Sequence, residues 1–153
     1  METPRKATRS ILFALVALWL VTYGPAEAAT SCHKINAKAV GQDNFDLTTQ
    51  ATILGGGLLN GTTASSFAVG GTPPDLVFEG TIVITTKHGT LTAALVGTID
   101  VSTGEFSAVA DVTSGTGKLE GASGMLFFEG IEDLATGKFA EEIAGSVCVD
   151  LSP

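Results

Sequence analysis

From Leu91 onward, apolar and polar side chains take turns. Leu91, Ala93, Leu95, Ile99 and Val101 share one parity, while Thr90, Thr92, Thr98 and Asp100 share the other. Phe106, Ala108, Ala110 and Val112 then alternate with Ser107, Asp111 and Thr113. Near the C-terminus Phe139, Ile143, Val147 and Val149 alternate with Glu142, Ser146 and Asp150. Period two is the signature of a strand with one buried and one wet face. The pattern predicts strands over about 33–40, 44–54, 76–86, 90–101, 105–114, 123–133 and 138–150, with a shorter one inside 58–69. No segment after residue 29 sustains a helical period.

A ten-residue pattern is written twice. "GTIDVSTGEF" starts at Gly97 and "GIEDLATGKF" at Gly130, both reading G-x-x-D-[VL]-x-T-G-x-F. Asp100 and Asp133 sit where an aspartate caps a turn with its own carboxylate, and Gly104 and Gly137 sit where the closing position takes positive φ. Two equivalent hairpins with a glycine bulge follow, with no ligand required. The stretch 55–75, rich in Gly, Thr, Ser and Pro, is the one long irregular region and is expected to frame a mouth. Seven or eight short strands in one domain make a sandwich or a closed barrel, and closure removes exposed edges.

The first residues change this picture. Arg5, Lys6 and Arg9 precede an apolar run from Ile11 to Tyr23, and Gly24-Pro25 and Ala26 to Ala28 follow as a breaker and a small-residue cleavage site. This is the layout of a secretory signal peptide over 1–28, too short to span a bilayer. It predicts a secreted or periplasmic domain over 29–153 that is not membrane-spanning after cleavage. The segment takes three of the eight basic residues and two of the sixteen acids with it. Five lysines and fourteen acids remain, a net charge near −9, with no Arg, Trp or Tyr. Nucleic acid is excluded as a partner, since phosphate contacts need cations. Bidentate carboxylate recognition lacks its usual arginine. Wet aromatic platforms lack their usual Trp and Tyr.

"SGTGKLEGASGMLFFEG", from Ser114 to Gly130, carries Gly115, Thr116, Gly117, Leu119, Ala122 and Gly124 in the order G-T-G-x-[FL]-x-x-A-x-G. This resembles a motif of the dirigent and allene oxide cyclase group of small barrels, over roughly residues 79–149. The resemblance implies an all-β, antiparallel, eight-stranded, calycin-like barrel with a hydrophobic interior, often a homo-oligomer. In the plant enzymes of that group the barrel steers the closure of a fatty-acid epoxide or the coupling of a phenolic radical. The motif is structural there, so it transfers no catalytic residue. The plant dirigent pockets set arginine beside acids, and no arginine follows residue 28 here.

Candidate chemistry is sparse. His33 and His88 stand apart with no zinc-ligand spacing, and His88-Gly89 reads as a tight turn. No loop offers the spaced oxygens of a calcium site, and no nucleophile elbow is present. No cofactor motif appears, and no metal site is expected. "FEG" occurs at 78–80 and 128–130 and places Glu79 and Glu129 alike. Glu129 shares a parity with Met125, Phe127 and Ile131, and Leu126 and Phe128 share the other, so the inward row stays open. If Glu129 faces inward, burial raises its pKa and makes it the candidate acid. Asn60 opens an N-G-T glycosylation sequence for a eukaryotic host.

Cys32 opens the domain and Cys148 lies in its last strand. Barrel closure brings first and last strands together, which predicts one disulfide on the face opposite Val147 and Val149. Two unpaired thiols are the alternative. Two functional readings remain. One is a non-catalytic secreted barrel that binds a small apolar ligand, or a partner, in a pocket of Phe, Leu, Ile and Val opening near 55–75. The other is an isomerase or cyclase of the allene oxide cyclase kind, or a dirigent-like barrel. A connected pocket with a buried carboxylate favours the second, and an interior packed solid with phenylalanine favours a structural role.

Overall fold

The computed structural model describes residues 30–151; the expected signal segment, 1–28, lies outside them. Eight antiparallel strands run in sequence order and close on themselves: β1 Ser31–Asp43, β2 Thr48–Leu54, β3 Gly61–Thr72, β4 Asp75–Thr86, β5 Gly89–Asp100, β6 Glu105–Gly115, β7 Ser123–Asp133 and β8 Lys138–Val149. The last strand pairs with the first from Ser31↔Val149 to Gln42↔Lys138, so no edge is left open. Two single 3-10 turns, Gly57–Leu59 and Gly117–Leu119, are the only helical elements among the described residues. No helix there is long and apolar enough to cross a membrane.

The stretch expected to be irregular, with one short strand inside 58–69, is mostly strand. Residues 61–72 form β3, paired over their whole length with β4, and Gly57–Leu59 form a 3-10 turn. Thr62, Thr63, Ser65 and Ser66 keep the alternation of a strand but carry few apolar side chains, so composition disguised it. Only Pro73-Pro74, joined by a cis peptide, turn the chain there.

The two ends of the barrel differ. At one end the 3-10 turns tuck Leu59 and Leu119 into the interior, each fully buried above Ile35, Ile53, Ile84, Leu91 and Val149. Backbone crowds backbone around the second plug: a Cβ on Gly115 would stand 1.9 Å from the Leu119 carbonyl oxygen, one on Gly117 2.8 Å from that of His88, and one on Gly124 2.2 Å from that of Ser146 on β8. Cys32 and Cys148 face each other at the seam near this end and form the disulfide, with a Cα separation of 3.8 Å. Their row faces away from Val147 and Val149, which are fully buried.

At the other end aliphatic packing gives way to aromatic rings seated on glycine. Four inward phenylalanines pair directly with a glycine on the next strand: Phe67↔Gly80, Phe78↔Gly97, Phe106↔Gly130 and Phe139↔Gly41. A Cβ on Gly41 would come within 2.2 Å of the Phe139 ring, and one on Gly130 within 2.5 Å of the Phe106 ring. At Gly41, Gly97 and Gly130 the missing side chain is therefore the seat of a ring, whereas a Cβ on Gly80 would first meet the Ser66 carbonyl oxygen, at 2.0 Å. The repeated decamer gains a second reason here. Its first glycine holds a neighbour's ring, its final phenylalanine lies on the next glycine, and Phe106 of the first copy rests on Gly130 of the second.

Candidate functional site

Seating rings against the wall leaves the middle of this half open. A cavity of about 270 Å3 lies there, lined by six phenylalanines at 45, 67, 78, 106, 128 and 139. Phe67 and Phe78 meet at 5.6 Å with tilted planes, and Phe106 and Phe139 meet edge to face at 5.9 Å. Ile82, Leu95, Ala108 and Phe128 line its deeper part. The mouth is framed by Phe45 on the β1–β2 loop, by Val69 and Leu76 flanking the β3–β4 turn, by Val101 and by Leu134. The opening lies near 73–74, at the far end of the stretch 55–75 expected to frame it, while Leu59 of the same stretch plugs the opposite end.

The β1–β2 loop is built to present its rim residue. Phe45 and Leu47 adopt φ of 59° and 68°, sparsely populated for bulky side chains. Side-chain caps hold them there: Phe45 N–H donates to Asp43 Oδ1 at 2.7 Å, and Thr48 N–H donates to Asp46 Oδ1 at 3.1 Å. Phe45 is 63% exposed while its ring edges the cavity, an apolar rim turned toward solvent.

Polar groups divide the cavity wall into two sides. On β2 and β3, Thr49, Thr63 and Ser65 present hydroxyls. Thr63 is 6% and Ser65 8% exposed, and neither hydroxyl has a hydrogen-bond partner among the described residues. In the adjoining sector, on β7, β8 and the end of β1, Asp43, Glu132 and Glu141 present carboxylates. Glu141 stands between Phe139 and Ile143 in the inward row of β8, opposite Gly130 and Ala39, whose small size leaves it room inside. Glu132 pairs with Phe139, so the two glutamates are diagonal neighbours on one face.

Burial pushes the Glu141 carboxyl up to about 7 from an ordinary 4.5. Glu132 also rises to about 7, first from burial and then from the charges of Asp43 and Asp133. Asp100 and Asp133 move the other way. The Ser102 hydroxyl and N–H hold Asp100 low, and the Thr136 hydroxyl followed by the Ala135 N–H does so for Asp133. Gly104 N–H and Gly137 N–H each donate at 2.7 Å to the carbonyl of the turn aspartate, at φ of 81° and 71°. Both copies of the decamer thus form one turn.

The residue singled out from sequence lies elsewhere. Glu129 is on the outer, exposed face of β7 between Ser107 and Glu142, and Glu79 is on the outer face of β4. The inward row of β7 is Leu126, Phe128, Gly130 and Glu132. Sequence reasoning missed Glu132 and Glu141, though parity marks both. Glu141 falls between Phe139 and Ile143 in a row drawn as apolar, and Glu132 continues the row of Leu126 and Phe128. His88 lies in the β4–β5 turn at the plugged end, its N–H bonded to Thr86 Oγ1 at 3.0 Å; His33 meets Ser31 Oγ at 3.0 Å. Among the described residues no group of three or more His, Cys, Asp or Glu is placed to hold a metal ion.

A wider depression of about 980 Å3 runs over the outside of β3, β2, β1, β8 and β7, past Val40, Thr52, Ile131 and Ala140. It is open surface, whereas the interior cavity surrounds whatever enters it. Family models, curated proteins and solved structures were all compared with the chain, and none matches it.

Proposed function

We propose that the protein is a secreted barrel that binds one small apolar ligand in its open half. The observation that supports this best is the enclosed cavity with a ring of phenylalanines and a plugged far end. Its 270 Å3 lies near the lower end of ligand-pocket volumes, roughly 300 Å3 and upward. Export is part of the proposal: the N-terminal pattern of Arg5 to Ala28 and the seam disulfide both suit an oxidising compartment. Assembly is part of it too, and the outer apolar row Val96↔Val109↔Phe127 is the surface that self-association would cover. Native mass spectrometry of protein purified from its own host, followed by organic extraction, tests the binding. A bound small apolar molecule at one per chain is expected, and protein that emerges bare and takes up no apolar probe would overturn the reading.

A second reading has a specific observation in its favour. In the allene oxide cyclase group that the Gly115 to Gly124 motif resembles, a barrel steers a reactive lipid. Here Glu132 and Glu141 face the cavity with pKa values of about 7, the range in which a carboxyl acts as a general acid or base near neutrality. The cavity lining supplies no Lys, Arg, His, Tyr or Cys to work with them, so simple binding is the reading we prefer. Turnover of an unsaturated fatty-acid epoxide, slowed on the order of a hundredfold or more in Glu141→Gln, would reverse that order.

A further inference from the structure

We infer that the ligand of this cavity is a cationic amphiphile, an apolar body carrying a protonated amine. The inference rests on the binding reading above and adds the chemistry of the head group. Every charged side chain that lines the cavity is an acid: Asp43, Glu132 and Glu141. The remaining side-chain polar groups are hydroxyls, and no lining side chain carries a cationic or amide N–H. A carboxylate or phosphate head would therefore meet like charges once these acids ionise, with no cation in the lining to balance them.

Glu141 makes the case specific. It has no hydrogen-bond or ion-pair partner among the described residues, although it stands among phenylalanines. An ionised carboxylate in such surroundings is costly until a cation reaches it. The acids are not arranged as metal ligands either. Beside Glu141 stand the edge-to-face rings of Phe106 and Phe139, the first lying on Gly130 directly across the sheet. An ammonium entering there meets a carboxylate together with aromatic faces, the pairing that recognises organic cations. Farther round the wall, on β3, the buried hydroxyls of Thr63 and Ser65 are unpartnered and open to the cavity, able to accept further N–H bonds.

The test uses three chains alike but for the head: decylamine, decanol and decanoate. Each displaces the uncharged fluorescent probe N-phenylnaphthylamine from the secreted protein at pH near 8. Decanol reports the cavity itself. Decylamine is expected to displace at about tenfold lower concentration than decanol, and decanoate at a higher one. Glu141→Gln should remove most of the amine's advantage over decanol, both read in the same variant. Glu129→Gln removes the same charge from the outer face and should leave that advantage in place. Decanol binding with decylamine no tighter than decanoate overturns the inference and leaves the cavity reading intact. An amine advantage that survives in Glu141→Gln but falls in Glu129→Gln also overturns it, placing the effect on the surface. If neither the probe nor decanol binds, the cavity reading fails and takes this inference with it.

Discussion

Glu141 couples the site to the stability of the fold. Its carboxyl and that of Glu132 bind a proton more tightly in the folded chain, at about 7, than at the ordinary 4.5. Between those values the folded state holds more protons than the unfolded one, so stability falls as pH rises through this window. Asp100 and Asp133, held low by their turns, act in the opposite sense, and their contribution is lost only as pH falls below the ordinary 3.8. Greatest stability is therefore expected near pH 5, with on the order of 1–3 kcal/mol lost by pH 8 through Glu141 and less through the more open Glu132. Thermal melts at the two pH values check this. Glu141→Gln should raise the pH 8 melting temperature by a few degrees and flatten the profile. A melt that rises from pH 5 to pH 8 would contradict the assignment.

The element that best explains the chain is the decamer hairpin, which joins a capped turn to a glycine seat. At Gly104 a side chain meets both a left-handed backbone and the Glu132 carbonyl oxygen, 2.0 Å from an added Cβ. Gly104→Val is expected to cost about 2–4 kcal/mol, above backbone strain alone, as read by chemical denaturation. Gly130→Ala should cost about 1–3 kcal/mol through the Phe106 ring and the Ala140 carbonyl oxygen, and should also weaken probe binding by displacing that ring. Tolerance of Gly104→Val would show that the turn is slack, and tolerance of Gly130→Ala that the seat is. Most of the strands were legible because alternation survives without an alignment, as in the row from Leu91 to Ile99. β3 was legible only as a shorter strand inside 58–69, because Thr and Ser wrote its inward positions as well as its outward ones. The orientation of Glu129 stayed open for a related reason. "MLFFEGIE" is apolar at both parities, and the choice of inward row is fixed only by pairing Leu126 with Gly145 and Phe128 with Ile143. The glycine seats were not legible at all, since each is defined by a partner on another strand.

Across the whole molecule, one end is closed and bridged and the other is open and aromatic. The Cys32–Cys148 bridge closes a separation of 116 residues at the plugged end. Chain entropy assigns such a bridge about 4–5 kcal/mol at most. The double variant Cys32→Ser, Cys148→Ser is therefore expected to lose stability by up to this amount yet, while folded, to bind an apolar probe as the parent does. Loss of binding from the folded variant would mean that the two ends are coupled. The bridge was legible because the sequence after residue 29 holds one cysteine in each terminal strand. The division of the barrel into two halves was not, since it depends on where Leu59 and Leu119 fold back inside. The most direct measurement of the central claim is a fluorescence titration of the folded protein with N-phenylnaphthylamine, beside Ala108→Phe, which fills the deeper part of the cavity. The account predicts saturable binding of one probe per chain, abolished in a folded Ala108→Phe. Binding that fails to saturate, or that persists unchanged in the filled variant, would contradict it.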